Sequence, residues 1–213
     1  MPKIVDHDER REEILQAAIR VIDSVGLDNT TTRAIALESG YSNGVLSHYF
    51  QDKDDILQSI LVKTHRQFMQ RVEHSMRGKD EFGRLWAMLM QNLPLDGERR
   101  VETLMEITFW PRAVSNPTSR AFQRDAADEL LTWLQSLITD VRAAAGLDSD
   151  LTDADIAELL IAVIDGLSVH AELFPKRLPA AYQKRLMRAQ LEAIGFRIDE
   201  KAVETGRASS GAR

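Results

Sequence analysis

The fold of this 213-residue chain is decided by residues 31–53, TTRAIALESGYSNGVLSHYFQDK. Thr31 or Thr32 can cap a first short helix, because a side-chain hydroxyl accepts a hydrogen bond from an N–H group one turn further on. Gly40 stands where a left-handed residue ends that helix, and Ser42 can cap a second one. Two short helices joined by a glycine-containing turn predict a helix-turn-helix, whose second helix enters the major groove of DNA.

The residues on both sides of this motif are also helical by pattern. Asp52 can cap a long helix over residues 54–76, whose first turn carries the acidic residues that the helix dipole favours. Upstream, residues 8–26 place apolar side chains at the spacing of one helical stripe. The members of that stripe are Ile14, Ala17, Ala18, Val21, Ile22 and Val25.

The remainder of the chain is predicted to contain five more helices. Proline and glycine divide it, because a proline in a helix interior removes a hydrogen bond and clashes with the preceding turn. The breaks fall at Pro94, Pro111, Pro117, Gly146 and Pro175. The expected helices cover residues 80–92, 98–110, 118–145, 153–173 and 178–195. No alternating strand pattern accompanies them, so the fold class is all-α with about nine helices.

Composition limits the class of protein further. The chain has no cysteine, which excludes disulfides and thiolate metal sites. It contains no apolar run of the ~20 residues that a membrane-spanning helix needs. The first residues contain no signal peptide by pattern. We therefore expect a soluble cytoplasmic protein that does not insert into a membrane, with a frayed arm over residues 1–7 and a disordered tail over residues 201–213.

The charge balance argues against nucleic-acid binding. The net charge is −6, whereas a basic domain is the usual electrostatic footprint of a DNA-binding protein. Binding nevertheless depends on where the charges point. Arg33, Lys53 and the pair Arg10 and Arg11 could line one face of the motif. The deficit of positive charge predicts weak non-specific binding and reliance on a dimer.

The motif resembles the DNA-binding domain of TetR-family transcriptional repressors. The resemblance rests on TTRAIA at residues 31–36, on the glycine-containing turn, and above all on GVLSHYFQDKDDIL at residues 44–57. This last segment is most similar to the BetI-like branch of the family. The strong match covers residues 8–68, and the resemblance implies that these form the helix-turn-helix domain. Residues 69–200 would then form a helical ligand-binding and dimerisation domain.

The resemblance also implies which residues contact DNA. Lys53 matches a lysine that meets a backbone phosphate at a helix N-terminus, and Gly44 lets the second helix approach the sugar–phosphate wall. Tyr49 has a second interpretation as a core residue. The full set of predicted DNA-binding residues is Thr31, Thr32, Arg33, Ser42, Asn43, Gly44, Ser47, His48, Tyr49 and Lys53.

Methionine and aromatic residues concentrate between residues 82 and 133, where all three tryptophans lie. Ligand pockets are apolar and aromatic with a few polar groups, although any one of these residues could equally be core. The resemblance favours a pocket lined by Trp86, Met90, Glu102, Met105, Glu106, Phe109, Phe122 and Trp133. If Glu102 or Glu106 points inward, the effector is a cation. If both form a solvated acidic edge, it is a neutral or anionic metabolite.

Residues 156–175, IAELLIAVIDGLSVHAELFP, are apolar almost all round. Such a helix must be buried on more than one side, and the second side can be another protomer. In BetI-like regulators this helix and the last one form a four-helix dimer bundle, although a monomeric core is the alternative. The predicted interface comprises Ile156, Leu160, Val163, Leu167, Tyr182, Leu186, Ala189 and Ala193.

An enzyme is not expected, because the chain lacks a nucleophile elbow, a zinc-protease motif and a phosphate-binding loop. His170 with Asp165 or Glu172 could hold a metal, but two ligands without a third make a weak site. No cofactor or metal is therefore expected. The sequence predicts a homodimeric repressor that binds a pseudo-palindromic double-stranded operator and is released by a small-molecule effector. The alternative is a helical dimer that binds another protein. Neither the effector nor the operator can be read from the sequence.

Overall fold

A computed structural model describes residues 7–198 of the chain. Among these residues it contains nine α-helices and no strand beyond one isolated antiparallel bridge between Leu147 and Phe196. The helices are α1 (His7–Val25), α2 (Thr32–Ser39), α3 (Asn43–Tyr49), α4 (Lys53–Met76), α5 (Glu81–Gln91), α6 (Gly97–Ser115), α7 (Pro117–Ala143), α8 (Asp153–Leu173) and α9 (Ala180–Ile194). The prediction of an all-α fold is confirmed.

The chain divides into two compact units, residues 1–66 and 67–213. The proposed domain limits, 8–68 and 69–200, place the division two residues later. The helix α4 belongs to both units, because it runs without interruption from Lys53 to Met76. The expected tail at residues 201–213 and the arm at residues 1–6 lie outside the described residues.

Local capping explains where the helices of the first unit begin and end. The Thr31 hydroxyl accepts from the Ala34 N–H at 3.1 Å, and the Ser42 hydroxyl accepts from Val45 at 3.3 Å. Gly40 ends α2 in the left-handed region at φ 75°. Each of these positions was predicted from the sequence, because a cap depends on only three or four neighbouring residues.

Helix α1 supplies the core of the first unit. Five of the six residues in its predicted stripe are buried, and Leu15 joins them. The sixth, Val25, is 45% exposed, so its assignment to the buried stripe was wrong. Val25 is the last residue of the helix, and Gly26 turns the chain away in the left-handed region directly after it.

The break predicted at Pro111 is also wrong, because α6 continues through this proline to Ser115. Pro111 has no N–H group, so the helix loses one backbone hydrogen bond at this position. Phe109, in the turn before the proline, is 1% exposed, and its burial anchors that turn. The helix ends where its terminal carbonyls gain another donor. The Arg120 guanidinium donates to Ala113 O at 3.1 Å and also to Val114 O.

The core of the second unit is built from α4, α5, α7, α8 and α9. Leu85, Met88 and Leu89 of α5 are fully buried, as are Ile138 of α7 and Leu191 of α9. Helix α5 therefore lies inside the unit rather than on its surface. Among residues 7–198, no helix is long and apolar enough to cross a membrane.

Helix α8 has two distinct faces, which corrects part of the predicted dimer interface. Ile156 and Leu160 are fully buried within the protomer, so they have no surface left to contact a partner. The opposite face exposes a stripe that the sequence could not distinguish from the inner one. Its members are Leu159, Ala162, Gly166, His170 and Leu173.

Gly195 is the position where the second unit tolerates no side chain. It ends α9 at φ 113°, and a Cβ atom there would lie 1.9 Å from Asp148 O. We predict that Gly195→Ala lowers the free energy of unfolding by at least about 2 kcal/mol, from backbone strain and this clash. Urea denaturation measures the change. The control is Gly97→Ala, where a Cβ meets open space; an equal loss in both variants would contradict the prediction.

Candidate DNA interface and effector site

The helix α3 presents to solvent the polar side chains that were predicted to read DNA. Asn43, Ser47 and His48 are exposed, whereas Leu46 is buried at 3% exposure and fixes the opposite face. Tyr49 is half-buried, between its two proposed roles. The helix therefore has one anchored face and one free polar face, which is the arrangement that a recognition helix requires.

Of the predicted DNA-binding residues at the starts of α2 and α3, two form the helix caps and two others are exposed. Thr31 and Ser42 are exposed, but their hydroxyl oxygens already accept the capping bonds. Their hydroxyl protons remain available for a phosphate oxygen. Thr32 and Arg33 are exposed, and Arg33 has no ion-pair partner within residues 7–198.

Gly44 is not required by the packing of the first unit. A Cβ atom at this position would meet only the Ser42 hydroxyl at 3.8 Å, which is an ordinary contact. An alanine would therefore fit inside the protein. The absence of a side chain matters only to a molecule that approaches the outer face, as the predicted close approach of DNA implies.

Lys53 has a partner within the first unit that the sequence did not indicate. Its Nζ atom donates to Leu27 O at 3.0 Å, so the ammonium holds the start of α4 against the loop after α1. An ammonium group has three donors, and two remain. The contact between Lys53 and a phosphate stays a prediction.

His7 is a candidate interface residue that sequence reasoning missed. Its ring centroid lies 5.6 Å from that of His48 and 5.3 Å from that of Tyr49. The first residue of α1 therefore belongs to the same aromatic group as the reading helix. No local pattern could have revealed this contact, because it depends on how α1 packs in the unit.

Some of the acidic groups near the motif have partners within the first unit. Arg20 forms an ion pair with Glu38 at 2.6 Å, and the nearly buried Lys63 pairs with Glu12. The Tyr41 hydroxyl donates to Glu13, and this hydrogen bond raises the pKa of Tyr41. These ion pairs leave the net charge unchanged, because each one uses a basic group as well as an acidic one.

The residues of the predicted effector pocket occupy different environments in the second unit. Met90 is buried in the core cluster, with Trp86 and Trp133 packed at its edge. Met105 and Phe109 are each 1% exposed but lie outside that cluster. Phe122, the remaining apolar member of the set, is half-buried.

Glu102 is held by an arginine. The two guanidinium NH groups of Arg71, on α4, donate to the two carboxylate oxygens of Glu102 at 2.7 and 2.5 Å. The Arg71 Nε atom donates to Gln91 Oε1 at 2.9 Å. One guanidinium therefore links α4 to α5 and α6, and the planar fork fits the carboxylate.

Glu106, one turn further along α6, has no such partner. It makes no hydrogen bond or ion pair with the described part of the chain, and burial raises its pKa to about 7, with Asp165 and Glu102 contributing. Burial also raises the pKa of Asp165, on α8. Glu106 is nevertheless one of the exposed residues of α6. Because it is surrounded by protein atoms yet exposed to water, we define the recess as the open region between Glu106 on α6 and Asp165 on α8.

The recess lies where α6 and α8 run antiparallel. Arg100 pairs with Glu172 at 3.0 Å, whereas Glu106, further along α6, interacts with Asp165, earlier on α8. Ser168 stands between these two positions of α8 and is 6% exposed, and its hydroxyl has no hydrogen-bond partner in the described residues.

A metal site is not among the features that the structure describes. Within residues 7–198, no group of three or more histidine and carboxylate side chains is placed to hold an ion. The pairings considered for His170 do not form, since its ring contacts Phe174 and Glu172 binds Arg100.

Comparison with known protein families assigns both units. Residues 14–60 match the model for bacterial regulatory proteins of the tetR family. Residues 83–195, more than half of the chain, match the model for the C-terminal region of BetI-type transcriptional repressors. The two matched regions contain the helix-turn-helix and the recess, respectively.

Individual relatives agree with this assignment. The HTH-type transcriptional regulator PksA of Bacillus subtilis is 30% identical over 197 residues, covering 91% of this chain and 94% of PksA. The regulator BetI of Proteus mirabilis is 27% identical over 198 residues, covering 87% and 92%.

A solved structure extends the likeness to three dimensions. A transcriptional regulator from Saccharomonospora viridis, in complex with choline, is 25% identical with a TM-score of 0.82, covering 89% of this chain and 99% of that one. The resemblance inferred from residues 31–57 is confirmed. The chain belongs to the TetR family of transcriptional regulators, and it is a DNA-binding repressor with a BetI-type C-terminal domain rather than an enzyme.

Proposed function

We propose that this repressor binds a pseudo-palindromic operator as a homodimer and is released by an organic cation. The observation that carries the effector class is the pair of dehydrated, unpaired carboxyl groups of Glu106 and Asp165. Operator DNA lies in the cytoplasm of a bacterium, and we expect the protein to act there.

The carboxyl pair favours a cation because an isolated buried charge is too costly to persist. Such a group must be paired or protonated. Burial raises the pKa of Glu106 to about 7, so a substantial fraction of this carboxyl group carries a proton near neutral pH. A cation in the recess would replace the proton with a stronger partner. The relative that is bound to choline, a quaternary ammonium compound, supports the same class.

The turns around Glu106 on α6 supply apolar side chains beneath the proposed site. Met105 and Phe109 flank this residue in sequence, and each is only 1% exposed, so they would contact a ligand only if its binding opened the site. Aromatic faces attract ammonium groups by roughly 0.5–2 kcal/mol each, and thioethers adapt to irregular cavities. A small organic cation with apolar substituents fits this lining better than a metal ion or a sugar.

The dimer is proposed to form through the outer faces of α8 and α9. The outer stripe of α8 includes Leu159 at 43% exposure and Leu173 at 64% exposure. On α9, Tyr182 and Leu186 are half-buried, and the predicted interface residues Ala189 and Ala193 are exposed. Small residues on both faces would allow the helices of two protomers to approach closely. Val163 and Leu167 lie at the border between this surface and the core.

We predict that operator reading and phosphate contact respond differently to substitution. Asn43→Ala or His48→Ala should change which operators are bound, whereas Lys53→Ala should weaken all sequences alike and flatten the salt slope by roughly one unit. Selection of operators from random DNA, followed by titration at several salt concentrations, measures both effects. Leu37→Ala is the control, because Leu37 is 85% exposed on α2 and has no proposed role. Unchanged affinity and preference in all three variants would rule out α3 as the reading helix.

We predict that Gly166→Glu separates the protomers. A Cβ atom at Gly166 meets nothing within 4 Å, so the variant should fold, but it would bury an unpaired charge between protomers. The dimer dissociation constant should rise by at least about 100-fold. Sedimentation velocity measures it. Val114→Glu, at a position that is 72% exposed on α6, should remain dimeric. A dimeric Gly166→Glu variant would place the association elsewhere.

We predict that cations bind more tightly as the pH rises towards 7. Below this value a proton must leave Glu106 before its carboxylate can pair with the ligand, so affinity should fall by up to about tenfold per pH unit and level off above 7. Choline does not titrate in this range, so the effect reports on the protein. A thermal-shift panel of choline, polyamines, cationic dyes, fatty acids and aromatic acids identifies the class.

At about 100 times the dissociation constant, a ligand should stabilise the protein by ~2.7 kcal/mol. Glu106→Gln should abolish most of this gain for cations, together with its pH dependence, and should leave any response to acids unchanged. If acids shift the melting temperature and cations do not, the cation proposal is wrong.

A further inference from the structure

The Arg71–Glu102 ion pair lies at the edge of the proposed effector recess, and the function of the repressor does not by itself explain it. Both side chains are largely buried, with 23% of Arg71 and 20% of Glu102 exposed. The contact is bidentate, and the third nitrogen of the guanidinium is held by Gln91. Arg71 is therefore fixed in one position rather than free in solvent.

The Arg71 guanidinium already neutralises part of the negative charge that would attract a cationic effector. Glu102 and Glu106 stand four residues apart on α6, so their side chains are neighbours on one face of the helix, and Glu102 contributes to the raised pKa of Glu106. The guanidinium neutralises Glu102 but forms no bond with Glu106 or Asp165. In the ligand-free protein, the carboxyl cluster thus holds one internal cation, contributed by α4.

The helix that carries Arg71 is also fastened inside the first unit. Lys63 of α4 is 5% exposed and pairs with Glu12 of α1. The Arg11 guanidinium of α1 donates to the Ser59 hydroxyl of α4 at 2.7 Å. A continuous helix therefore bears polar contacts to α1 in its first half and, through Arg71, to α5 and α6 in its second half.

We propose that the effector and the Arg71 guanidinium compete for the Glu102 carboxylate, and that this exchange couples effector binding to operator release. This inference rests on the proposed function, because it requires a cationic effector. A cation paired with Glu106 and Glu102 weakens the hold of Arg71 on α6, and α4 gains a second position. Arg71 is thus the residue that makes effector affinity differ between the two states, as allosteric coupling requires.

The coupling can be measured without identifying a conformation. Choline is titrated into the full-length protein at pH 8, with and without saturating operator DNA. The ratio of the two dissociation constants is the coupling factor, for which values of roughly 5–150 are typical. In Arg71→Met, the factor should fall towards 1, and choline should bind the free protein more tightly because Glu102 has lost its internal partner.

Two further variants make the result specific. Arg84→Met is the matched control, since it removes another inter-helical ion pair of the second unit, between Arg84 and Asp140 at 3.0 Å; its coupling factor should equal that of the wild type. Arg71→Lys keeps the charge but loses the bidentate fork, and its coupling factor should be intermediate. The Arg71→Lys variant also provides the test of the coupling if Arg71→Met does not fold.

The two proposals fail in different ways. A wild-type protein that binds none of choline, spermidine and a cationic dye would overturn the cation class, and the exchange with it. A wild-type protein that binds choline and releases its operator, with the same coupling factor in Arg71→Met or Arg71→Lys, would overturn the exchange alone. Each arm measures binding of the probe and of DNA separately, so loss of one is not mistaken for loss of the other.

Discussion

A carboxylate that leaves water must be paired, protonated or bound to a cation, and α6 meets this constraint in two ways within one turn. Glu102 is paired with Arg71, whereas Glu106 has no partner and is left with a pKa of about 7. The difference follows from position, because the guanidinium pairs with Glu102 and lies 3.9 Å from Glu98, one turn earlier on α6, but forms no ion pair with Glu106.

The first unit meets a related constraint, since an acidic domain must bind a polyanion. Two of its acidic groups, Glu38 and Glu12, form internal ion pairs. Such pairs contribute little to stability where they are exposed, and they leave the net charge of the unit unchanged. Arg33 and the uncharged side chains of α3 are left facing outward. Because phosphate contacts normally supply much of the affinity for DNA, an acidic unit is expected to bind non-specific DNA weakly and to rely on the proposed dimer.

Sequence reasoning succeeded where structure depends on near neighbours and failed where it depends on packing. The caps at Thr31, Gly40 and Ser42 were readable because each involves only a few residues. The continuation of α6 through Pro111 was not readable, because a buried neighbour and Arg120 stabilise the last turn. The same limit applies to α8, where an all-round apolar pattern does not tell the inner face from the outer one. The partner of Glu102 is 31 residues away in sequence, beyond the reach of any periodicity.

The structure also explains how a site can be selective for charge while remaining stable when empty. A permanently ionised pair of carboxylates in a recess would destabilise the second unit, and a permanently neutral lining would not distinguish a cation from its uncharged analogue. A pKa of about 7 lies between these extremes: on the proposal of a cationic effector, the proton that Glu106 carries in part of the free protein would leave when the cation binds. An uncharged analogue would not displace that proton, because it gains nothing from the ionised form. On this proposal, the cost of deprotonating Glu106 is recovered only by a ligand that carries a positive charge.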